Sequence, residues 1–355
     1  MEKKHKKYGV ITVGLIFVLY LFIAIPPIPV ETILTAQWIS SLESHYPDPE
    51  GDFFLPFELG GRFGYVDPSG RFTINREKEG NISLSKDRWA EYGNQPETIE
   101  VRDSQNRRLF TIEQGGGYPL FLDGETYLIN SEQTALSQVD EEGNIRWTHD
   151  FATPLTAIDA AQGMVLTGAL DGTVELLDGE GRLVFPPFEP GGSRYSVILG
   201  CRISRDGTKL AVVSGLDPQR FLLLERSGDA YNPIYHEFLT GGFRREVHLA
   251  FIDDDRRVVF EREGGLGIYT ISTRNSLYLP LEGDVYALDG SGEDGLLFLI
   301  TAEGMRQKNL VAIRLPGVLT LNAPFTSEIA FLGRQGPRLF IGGGSTLAAF
   351  DLDKR

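Results

Sequence analysis

The chain has 355 residues, 41% of them hydrophobic and 41 of them glycine, with 34 Lys and Arg against 49 Asp and Glu for a formal net charge of −15. The hydrophobic fraction excludes a disordered chain, the charge excludes a binder held to nucleic acid by phosphate contacts, and glycine above an average of about 7% marks a turn-rich fold. One cysteine, Cys201, excludes an internal disulfide framework, a multi-cysteine metal site and a dithiol redox pair.

The amino terminus opens on a basic tail, residues 1–8, carrying Lys3, Lys4, Lys6 and Lys7. Residues 9–25 follow without a single charge. As a helix they would span roughly 25 Å, and the flanking residues extend the stretch toward the thickness of a bilayer core. This pattern predicts a transmembrane signal anchor over 9–28, the tail in the cytoplasm and everything after it exported across an inner membrane. A cleaved signal peptide is the competing reading; the length of the apolar run and the prolines at 26, 27 and 29 argue against it. Over 31–46, Leu34, Trp38 and Leu42 recur at i, i+4 and i+8, which predicts a juxtamembrane helix in a 29–51 linker.

From residue 52 to the end, short apolar runs alternate with Gly, Asp, Asn and Pro clusters, the pattern of strands joined by hairpins. The clearest unit, residues 155–185, reads as four strands, the last at 182–185, and three short turns. Asp171-Gly172 suits a hairpin turn because glycine adopts positive φ at little cost. Similar units start near Tyr118, Val197, Val247, Val285 and Glu328, about 40 residues apart, and a weaker one covers 82–112. The last unit supplies three strands, and Phe63–Ile74 supplies one or two more. Joining these pieces into one composite blade predicts an all-β, seven-bladed β-propeller over 52–355, with six or eight as neighbouring counts.

Two stretches carry a family resemblance. Residues 163–178, GMVLTGALDGTVELLD, with 139–147, VDEEGNIRW, resemble repeats of PQQ-like propellers, in which a Trp often closes the outer strand. Here only Trp147 fits that place. Residues 203–213, ISRDGTKLAVV, resemble an element of WD-repeat and TolB-like propellers. The resemblance, to the BamB- or TolB-like members of this superfamily, implies a propeller fold and, by way of BamB, a setting in envelope assembly. Quinone binding is not carried over, because the chain lacks the paired cysteines many such enzymes use and is shorter than they are.

No Gly-x-Ser-x-Gly elbow occurs, and the five histidines never form His-x-x-x-His. Asp253–Asp255 reads as a charged hairpin turn, and the acidic loop 289–295 lacks the Gly and Glu of a calcium-binding EF loop. His236 and His248 read as strand residues with local hydrogen bonds, and Cys201 as a small buried hydrophobe. No catalytic residue, metal ligand or cofactor is expected. In the connection 216–246, Tyr231, Tyr235, Phe243, Arg244 and Arg245 combine aromatic rings with arginine, the composition of interface hot spots. The expected function is a membrane-anchored, extracytoplasmic, non-catalytic scaffold for a protein partner. The alternatives are a ligand-sensing propeller with a central-channel site and, less favoured, a propeller enzyme.

Overall fold

The computed structural model describes residues 31–43, 54–113, 116–292 and 294–352, together with Gly14 and Tyr20. The chain divides into two units, Met1–Thr32 and Ile33–Arg355. The expected basic tail lies outside the described residues, as does the expected anchor apart from Gly14 and Tyr20. No helix among the described residues is long and apolar enough to cross a membrane, so the transmembrane helix expected from the sequence is not borne out there.

The second unit is built from strands. β1 (Leu34–Ser41) stands first, followed by blade 1 with β2 (Leu55–Leu59), β3 (Arg62–Val66) and β4 (Phe72–Glu77). Blade 2 holds β5 (Asn81–Leu84), β6 (Arg88–Tyr92), β7 (Ile99–Asp103) and β8 (Arg108–Ile112). Blade 3 holds β9 (Gly117–Leu122), β10 (Glu125–Asn130), β11 (Ala135–Val139) and β12 (Ile145–Asp150). Blade 4 has β13 (Leu155–Ala161), β14 (Met164–Ala169) and β15 (Val174–Leu177). Blade 5 has β16 (Tyr195–Ile203), β17 (Lys209–Leu216), β18 (Gln219–Ser227) and β19 (Ala230–Leu239). Blade 6 has β20 (Leu249–Ile252), β21 (Arg257–Arg262), β22 (Gly265–Thr270) and β23 (Asn275–Pro280). Blade 7 has β24 (Asp284–Asp289), β25 (Leu296–Glu303), β26 (Gln307–Arg314) and β27 (Val318–Thr326). Blade 8 has β28 (Ala330–Gln335), β29 (Arg338–Gly343) and β30 (Thr346–Leu352), and β1 pairs antiparallel with β30 as its outermost strand.

The expected seven blades are therefore eight. Each sheet turns one set of alternate side chains to the blade before it and the other set to the blade after. In blade 5, Leu210, Val212, Leu222 and Leu224 pack toward blade 4. Ala211, Val213, Phe221 and Leu223 pack toward blade 6, beside Val258, Phe260 and Tyr269. Eight such buried clusters occur among the described residues, one between each pair of neighbouring blades, and the one between blades 8 and 1 closes the ring. Burying a Leu, Val or Phe side chain contributes about 1.5–3 kcal/mol, so this strand-by-strand alternation is the main source of stability.

Two sequence expectations fail here for one reason. Residues 34–41 form a strand, not a juxtamembrane helix, and the segment that completes the last blade is 34–41, not 63–74. A spacing of four fits a helical stripe, but it is also twice the period of a strand. β1 also carries a bulge between Ala36 and Trp38. From the bulge on, alternation is plain: Ser40 and Leu42 are buried, while Ile39 is 70% exposed. The stretch 63–74 belongs instead to blade 1, where β2 is its partner. Blade 4 lacks the regular fourth strand expected at 182–185; single bridges at Leu183 and Phe188 replace it. Pro186, Pro187 and Pro190 have no N–H to give a ladder.

A turn repeat fixes which blade faces are equivalent. Asp67, Asp103, Asp140 and Asp178 open four alike turns, 36, 37 and 38 residues apart. In each, Oδ1 accepts N–H groups two and four residues on, at 2.7–3.1 Å. Oδ2 accepts a bond from the side chain of Arg71, Arg107, Asn144 or Arg182. The residue between, Gly70, Asn106, Gly143 or Gly181, has positive φ. Trp147 on β12 lies against Gly181, with Nε1 donating to the Gly179 carbonyl at 3.1 Å. Trp38 on β1 repeats this on Gly70, donating to the Pro68 carbonyl at 2.9 Å. A Cβ at Gly70 would stand 2.7 Å from that indole, so glycine is required by contact as well as by φ. Trp38 thus fills the outer-strand place that the sequence reading gave to Trp147 alone.

The Asp turns and, in blades 2–8, the turns between first and second strands share one face of the ring, the Asp-turn face. The second-to-third turns of those blades and the blade-to-blade connections share the opposite face, where the β2–β3 turn of blade 1 also lies, Gly60 against Gly344. Burial alone would raise the Asp67 and Asp178 carboxyls, but the turn hydrogen bonds outweigh it and leave both below the usual carboxylate range. Asp206, in the β16–β17 turn, is brought down to about 2 against the same burial by Ser204 and Thr208. A lowered carboxyl stabilises the fold fully above its unfolded value, and that contribution is lost as pH falls through the folded one. We expect Asp206→Asn to lower the melting temperature at pH 7, and the gap to wild type to narrow as pH falls toward 2. Melting curves over that range check this; a gap independent of pH contradicts it.

Candidate functional site: an arginine–aromatic face and a central cavity

The residues singled out in the sequence do not form one exposed loop. Most of 216–246 is the hairpin β18–β19, the outer half of blade 5. Tyr231 is buried in the packing against blade 4, its hydroxyl donating to the Gly207 carbonyl at 2.6 Å. Tyr235 is half-buried, stacked on Tyr269 at 4.0 Å, and donates to Glu237 Oε2. These two rings hold blades together and offer little to a partner. Phe243, Arg244 and Arg245 follow β19 on the connection to blade 6. Arg245 makes a two-pronged bond to Glu261, at 2.9 and 2.7 Å, and lies over the Phe243 ring at 4.6 Å. Glu261, 1% exposed, also accepts the His248 N–H, so this pair ties the connection to β21. Arg244 is exposed.

Around that connection the structure gathers aromatic residues that the sequence reading did not single out. Phe238 is 50% exposed, Tyr195 51% and Tyr278 44%. Each lies beneath a guanidinium: Arg220 over Phe238 at 5.6 Å, Arg194 over Tyr195 at 5.2 Å, Arg262 over Tyr278 at 4.6 Å. The register puts them on one face. Tyr195 begins β16, Arg220 and Phe238 pair across β18 and β19, and Arg262 ends β21 beside its turn. Arg220 Nη1 reaches the Pro190 carbonyl at 2.7 Å, and Arg262 Nη1 reaches Glu237 at 3.0 Å, linking the blade 4–5 connection, β19 and blade 6. This is the face opposite the Asp turns. Arg194 and Tyr195 adjoin in the sequence, whereas Arg220 meets Phe238 across neighbouring strands and Arg262 meets Tyr278 across β22, pairings that appear only once strand register is known.

A second feature is a cavity of about 690 Å³, lined largely by innermost strands of blades 4–7 and reaching the Asp-turn face. Its walls include Asp123, Asp159, Arg202, Arg205, His248 and Asp255, set among Ala160, Val247, Phe251 and Leu288. Burial raises the Asp159 carboxyl despite nearby Arg202, and lowers the His248 imidazole against Glu261. Asp159 Oδ2 accepts the Ile203 N–H at 2.9 Å, and Asp255 Oδ2 accepts the Arg205 N–H at 2.7 Å. No group of three or more His, Cys, Asp or Glu placed to hold a metal occurs among the described residues.

A family profile described as "beta-propeller protein" matches residues 1–354. The chain belongs to this β-propeller family. It is similar to an uncharacterized protein of Treponema pallidum (strain Nichols), 27% identical over 315 residues that cover 86% of this chain and 83% of that one. Among solved structures it is similar to BamB from Moraxella catarrhalis, with a TM-score of 0.61 and 14% identity, covering 91% of this propeller chain and 99% of BamB. It is also similar to the computationally designed Ika8 protein, with a TM-score of 0.64 and 16% identity, over 88% of this chain and 98% of that one. At these identities the two structural likenesses establish the propeller fold alone.

The remaining expectations can now be placed on the propeller. Cys201 is fully buried, donates weakly to the Leu166 carbonyl, and has its thiol pushed up by burial, so it packs as a hydrophobe. Asp253 pairs with Arg256 and Arg257 within its own turn, as expected of a charged hairpin. In the 289–295 loop, Asp289 caps Ser291, and Asp294 pairs with Arg334 at 2.6 Å.

Proposed function

We propose that this propeller works as a non-catalytic docking platform for another protein. The observation that supports the reading is the face over blades 5 and 6. Three half-exposed aromatic rings, each with its own guanidinium, sit there on a ring held by packing between every pair of blades. Rigid aromatic and arginine side chains carry much of the energy of protein interfaces. The setting in envelope assembly follows from the repeats that resemble BamB-like propellers. An extracytoplasmic placement rests on the basic and then apolar start of the chain.

The test is crosslinking of the full-length protein in its native cells, affinity recovery and mass spectrometry. A stoichiometric protein partner is expected with wild type, and a drop of about ten-fold or more with Tyr195→Ala/Phe238→Ala. A partnerless monomer, or equal recovery with both proteins, contradicts the platform.

One observation favours a second reading. The central cavity is of a size that small-molecule sites occupy, and it mixes charged and apolar walls, as a ligand-sensing propeller would need. Metabolite screening by thermal shift separates the two readings, because a small ligand would raise the melting temperature of Tyr195→Ala/Phe238→Ala as much as that of wild type.

A further inference from the structure

We infer that the partner segment seated on the blade 5–6 face is acidic and apolar at once: Asp or Glu residues beside a Leu, Phe or Trp anchor. The inference rests on the docking reading and names the chemistry it takes.

Its first support is a set of arginines on this face that no carboxylate among the described residues engages. The whole chain has an excess of acids, 49 against 34 bases, yet Arg194, Arg220 and Arg244 have no carboxylate partner among the described residues. Of the acids around them, Glu237 and Glu261 are taken by Arg262 and Arg245, while Glu189, Asp217 and Glu263 are exposed and form no ion pair with the three arginines. Arg220 is bonded only to the carbonyls of Pro190 and Gly191 and stacked on Phe238, and its Nε is buried without a hydrogen-bond partner. A guanidinium held by carbonyls keeps its full charge and a fixed orientation, which suits it to meet a carboxylate.

The second support is the apolar seat. Each ring has one face covered by its guanidinium, which holds it in place and reduces the entropy lost on binding. Gly192 packs against Phe238 and Arg220, while Gly191 and Gly242 are open, so a partner backbone can come close beside them. Apolar anchors would stack on the rings while flanking carboxylates reach the three arginines. A basic segment would meet unpaired guanidiniums here, and a purely apolar one would leave them desolvated and unpaired.

A phage-displayed library of random dodecapeptides panned on the immobilised full-length protein tests this. The expected result is enrichment of sequences with two or more Asp or Glu around an aromatic or Leu. A synthetic peptide of the leading sequence should lose about ten-fold in affinity against Phe238→Ala and as much against Arg244→Glu, and should weaken as salt rises. Both positions are exposed, and melting curves of the variants confirm folding. No enriched peptide, enriched peptides without acids, or binding indifferent to both variants overturns the inference. The crosslinked partner distinguishes its failure from that of the platform. Capture that depends on Tyr195 and Phe238 but maps to a non-acidic segment leaves the platform standing and rejects this partner chemistry; no capture at all rejects the platform.

Discussion

A chain beginning at Glu43, and so lacking β1, is expected to lose the cooperative unfolding transition of the full protein or to melt at least 10 °C lower. Without β1 the outer edge of β30 is bare, its backbone donors and acceptors left to water or to another chain. Trp38 goes too, with its edge-on contact to Phe340 at 6.0 Å and its bond to the Pro68 carbonyl. These losses fall on the interface between blades 8 and 1, where the two ends of the chain meet. A ring open at one joint exposes two blade faces, and aggregation of the truncated chain is the expected companion effect. Calorimetry with light scattering checks this. An unchanged melting curve would show that β1 adds nothing to closure.

Phe221→Ala should cost about 3–5 kcal/mol, the range for removing a large buried ring. Phe221 is fully buried, stacked on Phe260 at 4.1 Å across the blade 5–6 interface, with Tyr235 and Tyr269 against its edges. The strands on both sides are tied by their own ladders, so the site cannot collapse to fill the space. Denaturant unfolding measures the loss. Because this cluster lies beneath the arginine–aromatic face, the proposed docking role predicts that the variant also weakens partner capture. A loss below about 1 kcal/mol would mean that the two blades are not packed as described.

The repeat was legible from residues alone where strands are buried on both faces. The starts near Tyr118, Leu155, Val197, Val247, Val285 and Glu328 fall within two residues of the innermost strands β9, β13, β16, β20, β24 and β28. The ends were misread because one feature suits two structures: a four-residue spacing over Leu34, Trp38 and Leu42 cannot separate a helix from a bulged strand. The Asp-turn spacing from 67 to 178 was the better ruler. Each of those aspartates sits at a fixed place in its blade, and counting back from Asp103 to Asp67 would have given 55–77 a blade of its own.

The candidate site was half legible. Phe243, Arg244 and Arg245 do lie on the face with the exposed rings, but Tyr231 and Tyr235 point into blade interfaces. Composition cannot tell an aromatic that glues two sheets from one that waits for a partner. That depends on which neighbour each strand faces, and Phe238, three residues beyond Tyr235, turns to the outside only through the register with Arg220.

The two faces, and every function assigned to them, exist only if the ring is closed by β1. The most direct measurement is a cysteine pair across that joint, Ile39→Cys with Ala348→Cys, directly opposed in the β1–β30 ladder. Native Cys201 is buried and stays out of the reaction in the folded protein. Mild oxidation should form an intramolecular disulfide in nearly all monomers, seen as the loss of two free thiols by mass spectrometry under denaturing conditions. Reduced cysteines, or disulfides linking separate chains, would show that the amino-terminal strand does not close the propeller.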